Sequence, residues 1–231
     1  MRFTGYRCLI FVCVWLSAGL LAGQSLRLHL PPALKEPRAE TVFEDRDGWL
    51  WLGGEQGLFR YDGKQIRPYQ RTDTLQVAVT TLFQDHKGVI WAGYKDGSIA
   101  SVQGGLLLPF LPEEGLPKVP ISGLLSDSTG ALWIATYGEG LYVYANKHLY
   151  NINTDDGLAD NSVYVMRRGP DGNIWIGSDG GISICSFRDG KKTVSNIGAA
   201  EGLPDNIVRD LWIDAAGDVW IGMYDQGVCR F

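Results

Sequence analysis

Asp214-Ala-Ala-Gly217-Asp-Val-Trp220-Ile-Gly222 is the stretch that decides how this chain folds, because its pattern occurs four more times upstream. The earlier copies are Asp45-Arg-Asp-Gly48-Trp-Leu-Trp51, Asp85-His-Lys-Gly88-Val-Ile-Trp91, Asp127-Ser-Thr-Gly130-Ala-Leu-Trp133 and Pro170-Asp171-Gly172-Asn-Ile-Trp175. Gly48, Gly88, Gly130, Gly172 and Gly217 follow one another at intervals of 40, 42, 42 and 45 residues. The residues between them are Val, Ile, Leu, Tyr and Trp, punctuated by many of the chain's 30 Gly and 10 Pro. That mixture suits short strands joined by tight turns, and no 3.6-residue periodicity competes with it.

A strand-rich unit of about forty residues is one blade of four antiparallel strands. The sequence therefore predicts an all-β fold: a β-propeller of four-stranded antiparallel blades, with five repeats visible and the last blade incomplete. In the third repeat the strands are expected at Ile121 to Leu125, Ala131 to Thr136, Leu141 to Ala145 and Leu149 to Asn153. The repeats span about 41–72, 73–112, 113–154, 155–198 and 199–231.

Each motif residue has a structural reading. The Asp carboxylate accepts from turn amides, and the Gly takes the positive φ that ends a tight hairpin loop. In the fourth repeat Pro170 stands in place of the Asp, and Asp171 is expected to compensate. Calcium binding is the alternative for these turns, but one carboxylate per turn falls far short of the ion's six to eight oxygens. Five of the eight Trp hold the same position. They read as wedges filling the gaps between twisted blades, rather than as a sugar-stacking array, since a ligand site rarely needs the same residue on every blade. Gly115-Leu116-Pro117, Gly157-Leu158-Ala159 and Gly202-Leu203-Pro204, with Thr74-Leu75 as a weaker equivalent, read as connections between blades.

The first 25 residues are set aside as a secretory signal peptide, because Arg2 and Arg7 precede an apolar run from Cys8 to Ala22 that ends in small residues. An uncleaved N-terminal anchor is the alternative. The protein is accordingly expected to be periplasmic or extracellular, with membrane anchoring left open. Cys8 and Cys13 fall in this segment, so Cys185 and Cys229 are the cysteines of the exported chain, either bridged or as two isolated thiols. A formal net charge of -5, with no basic stripe, argues against nucleic acid.

At this point the residues resemble a family, the two-component regulator propeller repeats of the extracytoplasmic sensor regions of bacterial hybrid two-component histidine kinases. Glu201-Gly-Leu-Pro-Asp-Asn-Ile-Val208, followed by Asp214 to Gly222, is similar to both parts of the family pattern, and the likeness covers roughly 41–231. Ala135 departs from the Gly that follows the Trp elsewhere. The resemblance implies a sensory ligand-binding module whose members carry further blades, a small β-domain, a membrane helix and a kinase. The fifth repeat stops after its third strand. Either the alternating segment Leu26-Arg-Leu-His-Leu30, within an N-terminal stretch of 26–40, closes a five-bladed ring, or the chain is the N-terminal part of a longer sensor; the second is the expectation adopted.

No enzyme signature is present. His29, His86 and His148 share no motif, and no His-Glu-x-x-His, Gly-x-Ser-x-Gly, phosphate loop or zinc-spaced Cys pair occurs. No catalytic residue, metal or cofactor is therefore expected. A secreted protein-interaction propeller and a propeller-type lyase or glycosidase are the alternative functions. Recognition is expected on the rim shared by the loops between second and third strands and the inter-blade connections. Its candidate residues are Glu55, Tyr94, Lys95, Asp96, Tyr137, Glu139, Asp179, Tyr224 and Asp225, flat aromatic faces beside polar groups suited to a carbohydrate or a peptide. Self-association and a kinase region are the other partners considered.

Overall fold

A computed structural model describes residues 39–72 and 76–231. Among the described residues, nineteen strands form five antiparallel sheets in chain order. Blade one holds β1 (Thr41–Glu44), β2 (Leu50–Gly54), β3 (Gly57–Tyr61) and β4 (Ile66–Tyr69). Blade two holds β5 (Val79–Gln84), β6 (Ile90–Tyr94), β7 (Ile99–Gln103) and β8 (Leu106–Pro109). Blade three follows with β9 (Ile121–Ser126), β10 (Leu132–Thr136), β11 (Leu141–Ala145) and β12 (His148–Ile152), within a residue or so of the strands expected from sequence. Blade four has β13 (Val163–Arg168), β14 (Ile174–Ser178), β15 (Gly181–Arg188) and β16 (Lys191–Ile197). Blade five has three strands, β17 (Val208–Ile213), β18 (Val219–Met223) and β19 (Val228–Arg230). The segment Leu26 to Leu30, expected as a closing strand, and the Thr74-Leu75 connection lie outside the described residues.

Each sheet is a simple meander, so neighbouring strands are always consecutive in sequence. The first strands β1, β5, β9, β13 and β17 pack side by side in that order, which places them at the centre and the fourth strands at the periphery. The recurrent turn between first and second strands has the expected backbone: Gly48, Gly88, Gly130, Gly172 and Gly217 all take φ between 79° and 92°, a region that only glycine adopts freely.

The repeat's Asp does more than shape the turn. Asp45 Oδ1 accepts from the amides of Asp47 and Trp49 at 3.0 and 2.9 Å, while Oδ2 accepts from Trp51 Nε1 at 2.7 Å. Asp85 holds Trp91 at 3.0 Å, Asp127 holds Trp133 at 2.9 Å and Asp214 holds Trp220 at 3.0 Å in the same way. One carboxylate thus ties the turn to the indole six residues on, removing the cost of burying an unpaired N–H.

The fourth repeat corrects the sequence reading. The Asp position, six residues before Trp175, is occupied by Gly169 and not by Pro170: Gly169 N donates to Asn173 O, as Asp45 N donates to Trp49 O. Asp171 accepts from its own turn amide, Asn173 N, at 3.0 Å. It does not reach the indole, and the buried Trp175 Nε1 has no acceptor among the described residues. A side chain at Gly169 would meet that nitrogen at 2.5 Å, so the ring has settled into the space a carboxylate fills elsewhere.

The wedge role of the tryptophans follows from strand alternation. Trp51 packs with Val79, Leu82, Ile90 and Ala92 of blade two; Trp133 with Val163, Ile174 and Phe187 of blade four; Trp175 with Val208, Leu211 and Val219 of blade five. Two residues further along the strand, Gly93 and Gly177 give the next blade room to approach. A Cβ there would lie 2.6 Å from Ile121 and Val208 respectively. Cys185 and Cys229 are both free thiols, and burial pushes the Cys185 thiol up to about 12.

Candidate functional site

The hairpin loops between second and third strands and the connections into first strands do share one rim. Gly138 and Gly140 donate to Asn161 O at 3.0 and 2.9 Å, which ties the loop of blade three to the lead-in of blade four. The lead-in Asp-Asn pairs hold their own backbone. Asp160 Oδ1 accepts from Ser162 N at 2.6 Å and Asn161 Oδ1 from Thr154 N at 3.0 Å. Asp205 accepts from Ile207 N and from Asp225 N across the rim, at 3.0 and 3.1 Å. These amide bonds, that of Ile207 foremost, hold the Asp205 carboxyl below its ordinary pKa.

On this rim the structure separates the candidates. Tyr137 and Tyr224 are 45% and 61% exposed, whereas Tyr94 is only 1% exposed and belongs to the core beneath, with Arg71 over its ring at 4.5 Å. The reason is register. Tyr94 stands three residues after its repeat's Trp, as do the buried Thr136, Ser178 and Met223, while Glu55, Lys95, Tyr137, Asp179 and Tyr224 stand four after. One residue along a strand reverses the side chain, so Tyr94 points inward. Glu55, Lys95, Asp96 and Asp225 remain exposed on the rim. Asp96 is engaged locally, accepting from Ser98 N at 3.0 Å. Glu139 is half-buried and accepts from Tyr142 OH at 2.8 Å; burial and this carboxylate raise Tyr142 to about 12.

Tyr137, Asp179 and Tyr224 are brought together through two residues that the sequence reading missed, Tyr164 and Arg209. The Tyr137 and Tyr164 rings lie 5.6 Å apart. Tyr164 OH donates to Asp179 Oδ2 at 2.8 Å. The Arg209 guanidinium sits 4.0 Å from the Tyr164 ring and 5.2 Å from Tyr224. The result is an aromatic and cationic ladder, Tyr137–Tyr164–Arg209–Tyr224, running across blades three, four and five. Burial, and then the Asp179 carboxylate, raise the Tyr164 pKa, so its hydroxyl stays protonated as a donor. Arg209 is exposed and makes no ion pair with a carboxylate among the described residues.

Tyr164 and Arg209 each follow the buried first-strand aliphatic, Val163 or Val208. The same position holds Thr80 and Ser122 in blades two and three. Variation at a fixed place beside an invariant aliphatic was a usable signal. Only the structure shows that this place adjoins the loop residues of the neighbouring blade.

The ladder offers aromatic faces, a guanidinium edge and a carboxylate within one rim segment. His86 lies in the turn after β5 and His148 opens β12, both at the rim opposite the ladder, the latter 2.9 Å from Glu114 through Nδ1. No cluster of metal-ligating side chains occurs among the described residues, and no described helix is long and apolar enough to cross a membrane.

Comparison with known proteins places this geometry among propellers. Residues 157–180 match the family model described as two component regulator propeller. No curated protein matches the chain. The extracellular domain of BT3049 from B. thetaiotaomicron, described as a hybrid two component system, superimposes with a TM-score of 0.66 at 22% identity, over 82% of this chain and 28% of that structure. The extracellular domain of BT4673 from B. thetaiotaomicron gives 0.67 at 22% identity over the same shares. A catalytically inactive virginiamycin B lyase from Staphylococcus aureus, solved with quinupristin, gives 0.63 at 14% identity over 82% of this chain and 68% of that one. The chain thus spans little more than a quarter of these two extracellular-domain structures, and at these identities the likeness is one of fold. One repeat of this chain, at residues 157–180, is thus similar to a two component regulator propeller repeat.

Proposed function

We propose that this propeller is the extracytoplasmic ligand-sensing region of a two-component signalling protein, and that a carbohydrate binds at the Tyr137–Tyr164–Arg209–Tyr224 ladder. The ladder itself carries the reading. Exposed tyrosine faces stack on the apolar faces of sugar rings, while the Arg209 N–H edge and the Asp179 carboxylate supply a donor and an acceptor for hydroxyl pairs. The equivalent loop positions of blades one and two hold Glu55 and Lys95, which are not aromatic. The repeat match and the likeness to extracellular domains support export and a signalling role, with the signal passed to a histidine kinase region. Similarity to a lyase supports the enzymatic alternative by fold alone, and the described histidines stand at the other rim.

Calorimetric or thermal-shift screening of oligosaccharide and peptide panels tests the proposal. Binding of a glycan is expected to weaken by about tenfold in Arg209→Ala, which removes its hydrogen-bond donor, and by about 30-fold when Tyr137→Ala and Tyr224→Ala are combined, because each stacked aromatic contributes on the order of 1 kcal/mol. Circular dichroism should show the fold intact in both variants, since these side chains are largely solvent-facing. Undiminished affinity in the double variant would move the site elsewhere, and turnover of a panel member would favour the lyase reading.

A further inference from the structure

At the rim opposite the ladder, each seam between described blades is closed by two side chains, one from either blade. The first is the residue that follows the motif Asp position, which is Arg46, His86, Ser128 and Pro170 in blades one to four. It reaches toward the first turn of the next blade. Arg46 Nη1 donates to His86 O at 3.2 Å, a Cβ on Gly130 would lie 3.2 Å from the His86 ring, and one on Gly217 would lie 3.8 Å from Pro170. Ser128 is too short to do the same: a Cβ on Gly172, the equivalent glycine of blade four, would meet nothing within 4 Å.

The second side chain comes from the third strand of the following blade or its end, opposite the aliphatic residue that precedes the Trp. It is Val102 in blade two, Tyr144 in blade three and Phe231 in blade five, but Cys185 in blade four. Tyr144 packs with Trp91 across its seam, and the Phe231 ring lies 5.7 Å from Trp175. Cys185 joins the Trp133 cluster from the same place with only a thiol. Of the seams among the described residues, that between blades three and four is therefore the one with both closures small. The consequence is a hollow of about 240 Å³, with Trp133, Ile174 and Phe187 as apolar walls and Ser128, Thr129 and Cys185 as polar points. It continues past Phe187 into an outer hollow of about 440 Å³ beside Tyr144.

We infer that this hollow binds a neutral planar ring bearing one hydroxyl or N–H, the chemistry of phenols and azoles. Its shape argues for a ring, because the same space at the preceding seam is filled by the imidazole of His86 and the phenol of Tyr144. Its size suffices, since an apolar cavity of roughly 150 Å³ already takes up benzene. Ser128 Oγ, which has no hydrogen bond to a described residue, supplies the polar partner. The charged neighbours argue for neutrality. Asp127 borders the hollow, but its carboxylate already accepts from Thr129 N and Oγ1, Ala131 N and Trp133 Nε1. Arg188 borders it too, yet strand alternation turns its side chain to the face away from Cys185 and Phe187. A charged ring would shed its water with no free counter-charge to receive it.

Phenol on the whole chain provides the test. In proton–nitrogen correlation spectra, about 10 mM phenol should shift the amides of Ser128, Gly130, Gly172 and Cys185, with a Kd in the millimolar range that one small ring can provide. These amides lie at the rim opposite the ladder, so the readout stands whatever binds there. Ser128→His installs the blade-two closure. It should weaken phenol binding about tenfold or more, and raise the melting temperature of the unliganded chain because it fills a void. Ser128 is exposed, so the fold should persist; if Ser128→His does not fold, Ser128→Arg, the blade-one closure, replaces it. Benzoate and benzylammonium should each bind about tenfold or more weakly than phenol. Absence of shifts at those amides means a hollow that holds only water, and overturns the inference. Phenol affinity unchanged in the closed variant overturns it as well, and so does tighter binding of either charged ring.

Discussion

Trp133→Ala is expected to destabilise the propeller by about 3–5 kcal/mol, the range for truncating a fully buried aromatic side chain in a core. Trp133 is 1% exposed and lies in the largest apolar cluster, with Val163, Ile174 and Phe187 of blade four on its far side. Removing it opens a cavity between two sheets and strands the Asp127 Oδ2 that its indole satisfies. Urea titration followed by far-ultraviolet circular dichroism would measure the loss. Trp220→Ala supplies the internal control. The same residue in the same motif, 38% exposed and with no blade against it among the described residues, should cost far less. Equal losses at the two positions would show that the motif, and not the seam, sets the energy.

Asp127→Ala is expected to cost about 2–3 kcal/mol, because it removes hydrogen bonds to a charged group and leaves the buried Trp133 indole unpaired. Asp127 accepts from Thr129 N at 2.8 Å, Ala131 N at 3.1 Å, Thr129 Oγ1 at 2.6 Å and Trp133 Nε1 at 2.9 Å. Burial alone raises this carboxyl, but the bonds from Thr129, Trp133 and Ala131 outweigh it, and the net result lies below the ordinary aspartate value. A carboxyl depressed in the folded state stabilises fully above its unfolded pKa, and that contribution is lost as the pH falls through the folded value. The expected acid limb therefore begins below about pH 4. Asp127→Asn, which cannot titrate, should flatten that limb as well as lower the plateau. An unchanged acid limb in Asp127→Asn would assign it to other carboxylates. Asp214→Ala should show a clearly smaller loss, since Asp214 is only half-buried and its tryptophan is exposed.

Repetition made the scaffold legible before any coordinates. Five copies at nearly constant spacing averaged out the ambiguity of any single short strand, and the strands of blade three fell within a residue or so of their expected positions. The same reading faltered wherever one copy departed from the others. In the fourth repeat the missing Asp was assigned to Pro170, although counting back from Trp175 reaches Gly169. Tyr94 was grouped with Tyr137 and Tyr224 by its neighbours in the loop, and not by its distance from the Trp. A single residue of offset on a strand decides between rim and core.

The sequence by itself determined the propeller, its turns and the wedge tryptophans, because those depend on contacts within a repeat or between adjacent copies of one pattern. The Asp-to-indole bond was within reach of the sequence in spacing but not in geometry, since six residues across a hairpin become neighbours only once the turn is closed. Tertiary structure alone decided that Tyr137, Tyr164, Arg209 and Tyr224 form one ladder: they come from a loop, two central strands and another loop on three blades, up to 87 residues apart, and only Arg209 and Tyr224 share a blade. It also decided which of five equivalent tryptophans is uncovered. Burial of a repeated residue is a property of the neighbour that faces it, and identical motifs cannot carry that information.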